Sequence, residues 1–140
     1  MELFHRVFLF SILQMDGNEI STISAGTFVN LTKLVNLSIS FNELKHIRED
    51  AFVGLTSLQR LRLTKNQFSK LADITPSLVG LPQLRELVLS DNTLIRINSA
   101  DFDLLVNSSI QVVIMSSVQK MTVKVTNSLP GWMGESPISG

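Results

Sequence analysis

The asparagines of this chain keep a fixed beat. Asn18, Asn42, Asn66 and Asn92 are spaced 24, 24 and 26 residues apart, and apolar residues hold constant offsets around each. The first unit reads Phe10, Leu13, Met15, Asn18, Ile20, Ile23, Phe28, Leu31. The second reads Leu34, Leu37, Ile39, Asn42, Leu44, Ile47, Phe52, Leu55. The third runs Leu58, Leu61, Leu63, Asn66, Phe68, Leu71, then takes two extra residues before Leu78 and Leu81. The fourth, residues 84–105, returns to the 24-residue spacing with Ile97 and Phe102 in place. All 28 apolar template positions are apolar in a chain that is 44% hydrophobic overall, which chance does not produce. A period of this length means one supersecondary unit stacked on its own copies, because a single unit cannot bury its apolar side alone.

The unit is the leucine-rich-repeat pattern, L-x-x-L-x-L-x-x-N-x-L, in its longer form with a phenylalanine in the second half. It predicts an α/β leucine-rich-repeat solenoid, with a short parallel sheet on the concave side and loops and short helical turns on the convex side. Each part has a physical task. The apolar-x-apolar alternation is a short strand with one face turned inward. The asparagine follows the strand, where its amide both donates and accepts and so satisfies backbone groups the turn would leave unpaired. Asn18, Asn42, Asn66 and Asn92 form this ladder, and Phe28, Phe52 and Phe102, with Leu78 standing in, form a column filling the wider half of the coil. The organisation is a lead-in over residues 1–9, four repeats over 10–33, 34–57, 58–83 and 84–109, a degenerate fifth over 110–118, and an irregular tail over 119–140.

The ends are where the pattern frays. The fifth unit keeps Ile110, Val113 and Met115 but has Val118 where an asparagine belongs, and Pro130-Gly131 marks a turn-rich end. Residues 7–13 read as the first strand; the alternative is a short secretory signal, against which stand Glu2 and the lack of a small-residue cleavage site. Repeat stacks need polar outer faces on their terminal units, and neither end shows one. Open end coils predict self-association or dependence on a partner, and the chain reads as an excerpt of a longer array or a shortened product.

Composition excludes most other functions. Twelve Lys+Arg balance twelve Asp+Glu, so there is no basic excess for general nucleic-acid binding. No apolar run reaches the length of a membrane-spanning helix. With no cysteine and only His5 and His46, disulfides, thiolate or histidine metal sites and triads have nothing to draw on. No catalytic residue, metal site or cofactor is predicted, and the chain is not expected to be an enzyme. Asp16-Gly17-Asn18-Glu19 only faintly echoes a calcium loop, lacking its carboxylate spacing. Alternation places Asn36 and Ser38, Arg60 and Arg62, and Glu86 and Val88 on the outward face of the sheet. A basic group there, Arg60, Arg62, Lys65 and Arg85, is the candidate binding surface for a phosphate or carboxylate, although the repeat register also sets Arg60 beside Glu86. Phe41 is exposed beside the ladder, either as an interface anchor or packed over a neighbouring loop. Asn30, Asn36 and Asn107 begin N-glycosylation sequons, usable only in the secretory pathway.

Residues 18–107 resemble the ectodomain of a Toll-like receptor. The stretches that carry the likeness are NELKHIREDAFVGLTSLQRLRLTKNQF (residues 42–68) and LRELVLSDNTLIRINSADFDLL (residues 84–105). KLADITPSLVGLPQL (residues 70–84) is similar to the irregular repeats those receptors contain. The resemblance implies binding of a microbial ligand or partner protein in innate immunity, with another leucine-rich-repeat chain as one such partner. It implies an extracellular chain, or one derived from a membrane receptor ectodomain; a retained intracellular fragment is the alternative. The family's cysteine-bounded caps, membrane span and TIR domain are not in this sequence, so binding is the activity expected. Small leucine-rich proteoglycans and adhesion receptors use the same unit, so a matrix or adhesion role, or a truncated product without independent function, are the other readings.

Overall fold

A computed structural model describes residues 11–93, 100, 103, 105, 108–116 and 120–124. Five strands, β1 (Ile12–Gln14), β2 (Asn36–Ser38), β3 (Arg60–Arg62), β4 (Glu86–Val88) and β5 (Val112–Ser116), lie side by side in chain order, all parallel. Register follows the repeat: Leu13, Leu37, Leu61, Leu87 and Val113 are successive partners. A connection of some twenty residues between parallel neighbours forces each coil to travel around the core before returning.

Inside the coil, Leu34, Leu37, Ile39, Leu44, Phe52, Leu55, Leu58, Leu61 and Leu63 are almost wholly removed from water. Each such side chain contributes about 1.5–3 kcal/mol by burial. Phe28 and Phe52 stack in a tilted pair with ring centroids 6.1 Å apart, and Leu78 is buried at the equivalent position. Phe102 and Ile97 lie outside the described residues. The two extra residues of the third unit are taken up by a 3-10 turn over Leu71–Asp73 and a one-turn helix α1 (Thr75–Leu78), with a proline in its first turn where no backbone N–H is needed. Ser77, at the bottom of that turn, is buried and donates to the Ile74 carbonyl oxygen at 2.6 Å.

The asparagines tie each unit to the one before it. Asn42 accepts from the Ile20 N–H at 3.0 Å and donates to the Met15 carbonyl at 3.0 Å. Asn66 accepts from the Leu44 N–H at 3.0 Å and donates to Ile39 at 2.9 Å. Asn92 accepts from the Asn66 and Phe68 N–H groups at 3.1 and 3.3 Å and donates to Leu63 at 2.9 Å. Among the described residues, Asn18, which is exposed, donates only within its own unit, to Met15 and Asp16. The residue before each asparagine takes a left-handed conformation: Gly17 at φ 71°, Phe41 at 57°, Lys65 at 50° and Asp91 at 57°. That bend lets the chain leave the strand while aiming the asparagine inward.

One expectation is corrected. The tail expected to be irregular from residue 119 contains a sixth strand, β6 (Lys120–Lys124), which pairs antiparallel with β5 over its full length. The sheet therefore does not end on a bare parallel edge at this side. At the other end the first unit stays partly open: Leu13, Met15 and Ile20 are only partly buried, where their counterparts one unit on are fully so.

Candidate recognition face

Strand alternation and parallel register align the outward residues in two rows. One row carries Ile12, Asn36, Arg60, Glu86 and Val112; the other carries Gln14, Ser38, Arg62, Val88 and Ile114. Across β1 to β3 these rows enclose a shallow groove of about 210 Å³, lined among others by Ile12, Gln14, Asn36, Arg60 and Arg62. Its floor mixes an apolar side chain that is 58% exposed, Ile12, with amides and guanidinium groups.

The basic residues do not act as one cluster. Arg60 Nε lies 3.1 Å from Glu86 Oε1, so its charge is compensated. The nitrogen is shielded from water yet makes no aligned hydrogen bond, so this is an ion contact without direction. With both side chains partly solvated it is worth about 0–1 kcal/mol. Arg62 is exposed, lines the groove and is in no ion pair among the described residues. Lys65 sits outside the groove with its ammonium 5.4 Å from the Phe41 ring centroid, a cation–π contact on the rim. Arg85 is exposed just ahead of β4, and its carbonyl accepts from the Gln111 and Val112 N–H groups at 2.8 and 3.1 Å. Phe41 itself is 53% exposed, with the Lys65 ammonium over its ring.

Ser38 departs from the outward, solvent-facing role that alternation gave it. It is 8% exposed, and its hydroxyl donates to Asp16 Oδ1 at 2.7 Å. The same carboxylate oxygen accepts the Ser40 N–H at 2.7 Å, and the Ser40 hydroxyl accepts the Thr64 N–H at 3.2 Å. This chain of bonds joins three units, which sequence spacing did not reveal. The faint calcium-loop carboxylate is thus engaged in holding the second unit. No group of acidic or histidine side chains suited to a metal occurs among the described residues. His46 is on the convex side, exposed, 3.7 Å from Asp73. Of the sequons, Asn30 is exposed on a turn, Asn36 is half-buried in the groove, and Asn107 is outside the described residues.

Residues 11–68 match the family described as Leucine rich repeat. The fold is a leucine-rich-repeat solenoid. Solenoids of this class are generally binding scaffolds without enzymatic activity, and partner proteins are their usual ligands. No curated protein matches the chain significantly. No helix among the described residues is long and apolar enough to cross a membrane.

Proposed function

We propose that this chain is a non-enzymatic recognition segment of the Toll-like-receptor-ectodomain kind, holding a microbial ligand or partner protein against the outward face of its sheet. The observation that carries the reading is the groove over β1 to β3. There Ile12 offers apolar area, and Arg62 offers a guanidinium that no acidic side chain among the described residues neutralises. A guanidinium gives forked, charge-assisted hydrogen bonds to carboxylate or phosphate, so it supplies orientation while the apolar floor supplies area.

The test presents bacterial culture supernatant and blood plasma to three immobilised forms: the unaltered chain, an Ile12→Asp/Arg62→Glu double variant, and a Val53→Asp convex-face variant. The expected result is a component held by the unaltered chain and by Val53→Asp, with at least about a tenfold loss of affinity in the groove variant, as removal of one central contact commonly produces. Loss in Val53→Asp with retention in the groove variant would overturn the reading.

The extracellular part of the proposal has its own check. After expression in animal cells, the species in the medium should lose mass on treatment with a glycan-removing enzyme. Asn30→Gln should shrink that loss, while Asn36→Gln should leave it unchanged, because a glycan on Asn36 would fill the groove. Unglycosylated chain retained in the cells would contradict the assignment.

A further inference from the structure

Three of the five large apolar side chains that stand in water among the described residues share one place in the repeat. Val29, Val53 and Val79 each follow a buried member of the Phe column, Phe28, Phe52 or Leu78. Val53 belongs to the second unit, whose neighbours on both sides are described, and it is 48% exposed. Single apolar residues on a surface are ordinary, but a row of them in register is a patch, and such a patch marks a surface that something covers.

The next residue along each turn decides what fits over that patch. It is Asn30 in the first unit, Gly54 in the second and Gly80 in the third. The turns of the first two units touch here, because a Cβ on Gly54 would run into the Cα and carbonyl oxygen of Val29, the residue bonded to Asn30. Asn30 thus adjoins a strip of bare backbone at Gly54 and Gly80. Along the turns Val53 and Val79 precede this strip and Thr56 and Pro82 follow it, and all four are exposed. Asn30 is exposed as well, and it opens a sequon that exposed Thr32 completes.

An N-linked glycan begins with an N-acetylglucosamine on the asparagine nitrogen. In forming it, Asn30 Nδ2 gives up one proton and bonds to the anomeric carbon of an oligosaccharide carried on a lipid diphosphate. The carbon–oxygen bond to the carrier breaks, and the lipid diphosphate leaves with its electron pair. The sugar so placed has two characters: its C–H face and acetyl methyl are apolar, and hydroxyls ring its edge. Its width matches one coil step, about 4.8 Å at the strands. We infer that this first sugar lies over Gly54 with its apolar groups on Val53, so that the glycan is a fitted cover for the valine row and not a freely moving appendage. The inference rests on the extracellular reading above, and it concerns the convex turns, away from the groove.

The full chain is secreted from animal cells, and occupancy of Asn30 is read by peptide mass. Part of the material is trimmed with an endoglycosidase that leaves one N-acetylglucosamine, and Asn30→Gln supplies the form without sugar. The thermal midpoints of the intact and trimmed chains should agree within about 1 °C, with Asn30→Gln lower by about 2–4 °C. Val53→Ser, a change at an exposed position that leaves the chain folded, should cut the difference made by the sugar to less than about half, the sign of two groups in contact. Nuclear Overhauser contacts should join the acetyl methyl to the Val53 methyls. Unglycosylated chain retained in the cells would overturn both the extracellular reading and this inference. A secreted chain with Asn30 unoccupied would overturn the inference alone. So would an occupied Asn30 whose sugar shifts the midpoint equally with and without Val53→Ser, or whose effect is lost on trimming.

Discussion

Replacing Asn66 with leucine should destabilise the stack by about 2–4 kcal/mol, read as a shift in the midpoint of urea unfolding. Leucine has the same number of side-chain heavy atoms but can neither donate nor accept, so the change removes the hydrogen bonds without opening a cavity. Asn66 is 6% exposed, and its amide oxygen is the only acceptor for the Leu44 N–H among the described residues. That N–H would be left buried and unpaired, at about 1–3 kcal/mol. The carbonyls on the other side fare better. Ile39 O also accepts from Asn42, and Leu63 O also accepts from Asn92, so each loses one bond of two. Asn18→Leu is the internal control. Its side chain is exposed and, among the described residues, bonds only to Met15 and Asp16, so its loss should cost less than about 1 kcal/mol. Equal costs at the two positions would mean that the amides do not carry the junctions. Because the stack is a series of neighbour-to-neighbour contacts, a weakened middle junction should also broaden the unfolding transition.

Much of this architecture was legible in the residues because its core is periodic. A buried column such as Leu37, Leu61 and Leu87 repeats at the step of the coil, and no irregular fold imposes that constraint. What escaped the sequence lacks a period. Asp16 meets Ser38 and Ser40 at the first junction, and nothing among the described residues of the other units repeats it. The strand over Lys120–Lys124 is not part of the repeat at all; it forms because β5 offers an unpaired edge, a cause that lies in the neighbouring strand rather than in the segment's own text. The left-handed column had a visible trace, since Gly17 and Asp91 are residues that favour turns, but Phe41 and Lys65 at the same offset masked it. On the outward face, alternation alone ordered Asn36, Arg60 and Arg62 along the rows. The repeat register also set Arg60 beside Glu86, and the structure has the two 3.1 Å apart.

The second large effect is expected at Gly54. Its φ is 101°, in the region L side chains rarely adopt, and a Cβ built there would run into the Cα and carbonyl oxygen of Val29 in the preceding unit. Both obstacles are backbone, so no rotamer change relieves them. Gly54→Ala should therefore add conformational strain of about 1–2 kcal/mol to an overpacking cost of about 1–3 kcal/mol, lowering stability by about 2–5 kcal/mol. Two other glycines separate the two causes. Gly26 has φ 78° but nothing within 4 Å of its absent Cβ, so Gly26→Ala should show the conformational part alone, about 1–2 kcal/mol. At Gly80 the nearest atom to such a Cβ is the Ser77 carbonyl oxygen at 4.0 Å and φ is not left-handed, so alanine there should be neutral or stabilising by about 0.4–1 kcal/mol. The order Gly54, Gly26, Gly80 thus measures how closely neighbouring coils approach on the convex side, independently of the ladder. If Gly54→Ala cost no more than Gly26→Ala, the turn at Gly54 would have to stand off from Val29. The junction would then rest on the strands and the asparagines alone.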